Sequence, residues 1–95
     1  MKKTFSLTHE KKTLPRLIEA VKNEVRKYVK RERAKALPQG ADYWDFDCRF
    51  GLDAASSKPV HLAEIDALLN QAEAAQASAC YIEILAKPAQ RGARL

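Results

Sequence analysis

Tyr43-Trp44-Asp45-Phe46-Asp47-Cys48-Arg49-Phe50-Gly51 is the stretch whose alternation decides the fold. Side chains along an extended chain point to opposite faces with period two. Trp44, Phe46, Cys48 and Phe50 therefore share one face, and Tyr43, Asp45, Asp47 and Arg49 share the other. One face is apolar and one is charged, which is the pattern of a strand with one side on a core and one side in water. The stretch holds the only Trp and two of the three Phe, so the core is built against it.

Upstream lies a long helical pattern. Thr13 precedes Leu14-Pro15, a capping residue followed by a proline that the first helical turn tolerates. Leu14, Leu17, Ile18, Val21, Val25, Tyr28 and Val29 then recur at helical spacing, filling an arc about 120° wide. Pro38 and Gly40 place the end near Leu37. Before this helix, Phe5 and Leu7 alternate with Thr4, Ser6 and Thr8, which predicts a half-buried strand over 3–8.

Downstream, Asp53 to Pro59 reads as a loop. Leu62, Ile65, Leu68, Leu69 and Ala72 make the inner face of a second helix over 62–77. Cys80, Ile82 and Ile84 alternate with Tyr81, Glu83 and Leu85 in a last strand over 80–86, which Pro88 ends. The expected architecture is α+β, in the order β-α-β-α-β, with a three-stranded sheet and two helices packed on one face. Right-handed crossovers favour the sheet order 1-2-3 with the Trp44 strand central, an antiparallel first or last strand being the alternative. Residues 1–88 form a single domain, and 89–95, with Arg91, Gly92 and Arg94, a flexible basic C-terminal tail.

Composition narrows the class. At 95 residues, with 46% hydrophobic and 31% charged side chains, the chain suits one globular domain and excludes a multidomain enzyme. With 3 Gly it is not collagen-like and carries no Gly-rich phosphate loop. With 2 Cys it is not disulfide-stapled. No stretch approaches the roughly 20 apolar residues of a membrane span, and Met1-Lys2-Lys3 leads into no apolar signal segment. These features predict a cytoplasmic protein with reduced thiols that does not engage membranes.

Four strings carry a resemblance: Lys2-Lys3-Thr4-Phe5, Lys30-Arg31-Glu32-Arg33-Ala34-Lys35-Ala36-Leu37-Pro38, Trp44-Asp45-Phe46-Asp47-Cys48 and Glu83-Ile84-Leu85-Ala86-Lys87-Pro88. Together they resemble a family of small, uncharacterised proteobacterial proteins catalogued as a domain of unknown function. The resemblance spans nearly the whole chain and implies a bacterial cytosolic protein. It transfers no catalytic or binding residue.

Charge is concentrated. Of the net +5, residues 11–35 carry ten Lys and Arg against three Glu, a local +7, and the remainder is −2. Lys22, Arg26, Lys27, Lys30, Arg31 and Arg33 fall on the side of the long helix opposite its apolar arc. Like charges at i, i+4 cost about 0.2–0.5 kcal/mol per pair. Phosphate is the natural counter-charge, so these six residues are the candidate nucleic-acid contacts of a non-enzymatic binding module. The plain alternative is a solvated helix face.

The charged face of the sheet gives a second candidate. Asp45, Asp47, Arg49, Tyr81 and Glu83 are expected on one exposed surface, suited to protein interaction or homodimerisation, or simply to solvation with cross-strand charge pairs. A Mg²⁺-dependent hydrolase built on Asp45, Asp47 and Glu83 is a weaker reading. His9 and His61 have no ligand-spaced partners, and no nucleophile motif is present. Cys48 and Cys80 are expected as buried thiols that could be cross-strand neighbours. No metal and no cofactor are implied.

Overall fold

The computed structural model describes residues 1–91. Its strands are β1 (Lys2–Ser6), β2 (Tyr43–Gly51), β3 (Lys58–Val60) and β4 (Ala79–Ala89), and its helices α1 (Leu14–Arg33) and α2 (Ile65–Ala74), α2 being preceded by a 3-10 turn at Leu62–Glu64. The α+β class and the helices packed on one sheet face stand, but the sheet has four strands rather than three. Its order is β1-β4-β2-β3, not 1-2-3, and every neighbouring pair is antiparallel.

The order follows from burial. Cys80, Ile82 and Ile84 are fully buried and Tyr81 on the opposite face is 9% exposed. β4 is thus buried on both faces at residues 80–82 and takes an interior place. β1 carries Lys2 and Lys3, charges suited to an edge. β1 and β2 are each antiparallel to β4, so the β1-α1-β2 crossover spans an intervening strand. The stretch Tyr43–Gly51 is interior as expected, sharing the middle of the sheet with β4.

The fourth strand is the short β3, where a loop is expected. Pro59 lies opposite Arg49, and proline is tolerated because β3 is an edge strand. Pro88 likewise does not end β4, where it sits opposite Trp44. The N–H and C=O of Ile84 bond Met1, and past that point no strand flanks β4 on the β1 side among the described residues.

Helix ends also shift. α1 stops at Arg33 rather than near Leu37, with Ala34 as its C-cap, and the Lys35 carbonyl just beyond accepts the Trp44 indole N–H at 2.9 Å. Thr13 occupies the N-cap position, but its side chain makes no capping bond. α2 ends at Ala74 because Gln76 adopts φ 54°, a left-handed terminator. It starts at Ile65 rather than 62, and the 3-10 turn before it is capped by the Glu64 carboxylate, which accepts the His61 N–H at 2.7 Å.

Core residues on the sheet's inner face meet both helices. Ile18, Val21, Val25 and Val29 of α1 and Ile65, Leu69 and Ala72 of α2 pack over Phe5, Phe46, Cys48, Cys80, Ile82 and Ile84. Trp44, Phe50 and Tyr28, expected in the core, are half-buried at its border. Residues 89–91, the start of the expected tail, are attached: Gln90 Nε2 donates to the Gly40 carbonyl and Arg91 N–H to Asp42 Oδ2 at 3.0 Å. The rest of that tail lies outside the described residues.

Candidate anion-binding surface

The six basic residues of α1 fall into distinct environments. Lys22 is only 12% exposed; its Nζ donates to Asn70 Oδ1 at 2.6 Å and lies 3.8 Å from Glu19. Arg26 donates to Asn23 at 3.0 Å and stands 3.8 Å from Asp66 of α2. Lys22 thus ties α1 to α2, while the looser Arg26–Asp66 pair lies along the same seam.

Lys27 and Lys30 are exposed and have no acidic partner among the described residues. Arg31 lies 5.6 Å from the centroid of the Tyr28 ring, and Arg33 lies 5.4 Å from that of Phe46. A guanidinium held over a ring by cation–π attraction spends no N–H on it and keeps its donors for a carboxylate or phosphate. The aromatic contacts therefore position these arginines without consuming their donors.

Spacing divides the array. Arg26, Lys30 and Arg33, at i, i+4 and i+7, share one flank of α1. Lys27 and Arg31, at i and i+4, share another. The first flank borders a groove of about 390 Å³ between α1 and the Leu62–Asp66 segment.

The sheet's outer face is brought together as read from the sequence. Asp45 pairs across with Lys87, Asp47 with Leu85, Arg49 with Glu83 and Gly51 with Tyr81. All five candidate residues there have partners within the chain. Asp47 accepts from Lys87 at 2.8 Å, Tyr81 donates to Glu83 at 2.8 Å, and Asp45 accepts the Phe46 N–H at 2.8 Å. Arg49 donates to Ser57 Oγ at 3.1 Å and to the Ser57 carbonyl at 2.6 Å, binding the 52–57 loop to the sheet. The hydrogen bond to Glu83 raises the Tyr81 phenol above its ordinary value, and that to Asp47 raises the Lys87 ammonium. Tyr81 is buried, and Arg49 and Glu83 are half-buried, so the surface is less open than alternation alone implies.

No group of three or more His, Cys, Asp or Glu suited to a metal ion occurs among the described residues. His9 accepts the Lys11 N–H at 3.0 Å in a turn. Cys48 and Cys80 are not cross-strand neighbours, because Ile84 lies opposite Cys48 and Cys80 is four residues earlier on β4. That is about 13 Å of strand, beyond disulfide reach. Burial, aided by Asp47 and Asp45, pushes the Cys48 thiol up to about 11, and burial pushes Cys80 to about 11. Neither is poised as a nucleophile.

Sequence reading missed the Leu62–Asp66 side of the groove. Leu62 was identifiable as an inner-face residue, but nothing in the spacing placed it against Val29 and Arg33.

A small antiparallel α+β domain with a basic, groove-bordered helix is the class these features define. The chain belongs to a family described as a family of unknown function, DUF6172, whose profile covers residues 1–95. No curated protein matches the chain. No solved structure matches it either. No helix among the described residues is long and apolar enough to cross a membrane.

Proposed function

We propose that the protein is a binding module that contacts nucleic-acid phosphates through the outer side of α1. The observation that supports this reading is the set Lys27, Lys30, Arg31 and Arg33, all exposed on one rigid helix and without acidic partners among the described residues. Elsewhere acids are drawn to nearby cations, as in Lys3–Glu24, Lys35–Glu32 and Lys87–Asp47 at 2.8 Å each. Lys22 and Arg26 support the helix from the α2 side. Contacts of this kind position a backbone and read no bases, so binding is sequence-tolerant and salt-sensitive. The two unpaired, buried thiols suit a reducing, cytoplasmic setting.

Anisotropy titrations of labelled duplex DNA and RNA over a salt series test this. Four phosphate contacts give a log–log salt slope of about −3.6 on duplex DNA. Lys27→Gln or Lys30→Gln should each reduce it by about 0.9. Absence of binding at low salt, or affinity unchanged in a Lys27→Glu, Arg31→Glu double variant, overturns the reading.

A further inference from the structure

The groove beside α1 has a chemistry distinct from its outer charges. Its floor is Val25, Val29, Leu62 and Ile65, of which Val25 and Val29 are 6% exposed and Ile65 is 1% exposed. Its border carries Arg26, Lys30 and Arg33 against the single acid Asp66. A volume of about 390 Å³ falls within the range of small-ligand sites. An apolar floor under a net positive border fits a ligand with a hydrocarbon body and one anionic head.

We propose that this groove binds a free, medium-chain carboxylate, its chain over Val25, Val29 and Ile65 and its head among Lys30, Arg33 and Arg26. Three features select this occupant. The apolar floor adjoins a border that carries three cations, Arg26, Lys30 and Arg33, against one acid, Asp66, which an anionic head on a hydrocarbon chain complements. The floor offers no aromatic ring for a nucleobase, since the neighbouring Phe46 lies under Arg33. The Arg26–Asp66 pair is long at 3.8 Å, with both side chains more than half exposed, and leaves Arg26 able to turn to a carboxylate. A bound head group compensates the like charges of Lys30 and its neighbours and should raise stability by linkage.

Isothermal calorimetry with octanoate on the full chain tests the site, with 1-octanol and acetate as probes lacking the charge and the chain. Octanoate should bind with one-to-one stoichiometry, and each control at least about tenfold more weakly. Ala63→Trp, placed on an exposed residue of the groove wall, should fill the groove and abolish binding. Lys30→Gln with Arg33→Gln should weaken octanoate about tenfold or more while octanol is unaffected. No saturable heat, equal affinity for octanol, binding retained in Ala63→Trp with native circular dichroism, or binding only to anionic vesicles overturns the proposal. Lys27 and Arg31 do not line the groove. Their charge reversal must leave octanoate binding intact, which separates this result from the fate of the nucleic-acid reading.

Discussion

Arg33, the last residue of α1, holds its guanidinium 5.4 Å from the centroid of the Phe46 ring on β2. The contact fixes the end of the helix against the sheet and sets the direction in which the basic array points. Arg33→Lys keeps the charge but exchanges the broad guanidinium over the ring for a compact, more strongly hydrated ammonium, and should cost about 0.5–1 kcal/mol. Phe46→Ala removes an aromatic ring that is 8% exposed, and should cost about 3–5 kcal/mol. Urea unfolding monitored by circular dichroism separates the two, with the slope unchanged for Arg33→Lys.

Gly51 meets the buried loop residue Ser57. A Cβ at Gly51 would lie 2.6 Å from Ser57 Cα and 2.8 Å from Ser57 N. The loop backbone is held in place by Arg49 and by the Ser57 N–H bond to Ala54 O. Gly51→Ala should therefore destabilise by about 1–3 kcal/mol. A melting temperature equal to that of the parent would show that the loop yields freely.

The two buried thiols predict alkaline sensitivity. Each has its ordinary value of 9.0 raised to about 11 in the folded chain. The folded state then holds protons that the unfolded state releases. Stability is full below about pH 9 and falls as pH rises toward 11, by roughly 3 kcal/mol per thiol at most. Cys80→Ala should flatten that decline when unfolding is measured across the range. In the native protein at pH 8, both thiols should resist labelling until the chain opens.

Lys22 and Asn70 join the two helices through a single bond of 2.6 Å. Lys22→Met retains the hydrocarbon packing of a side chain that is 12% exposed and loses the bond, at a cost of about 0.5–1.5 kcal/mol. A double-mutant cycle with Asn70→Ala should return a coupling energy above about 0.5 kcal/mol. Additivity would assign the bond no net role.

Much of the molecule was legible in the sequence. The two faces of Tyr43–Gly51, the buried arc of α1 and the inner residues of β4 follow from periodicity alone, because one side of each element must leave water. Strand order was not legible. Periodicity says which face of β4 is buried but not which edges are, and the interior position of β4 emerges only once Tyr81 is found covered as well. β3 escaped notice because three residues containing Pro59 give no alternation to read. The basic side of α1 was visible as a set, but its division was not. That Lys22 is drawn to Asn70, and Arg33 to Phe46, depends on residues 48 and 13 positions away in sequence.

The placement of β4 bears on how the protein comes into being. As the chain leaves the ribosome, β1, α1, β2 and β3 emerge before the strand that must lie between β1 and β2. Until residues 79–89 appear, β1 has no hydrogen-bonding neighbour and the greasy side of the β2–β3 hairpin is covered only by helices. Sheet assembly is therefore deferred until β4 emerges, and a nascent polypeptide stalled before Ala79 presents a gap that chaperones or stray strands can fill.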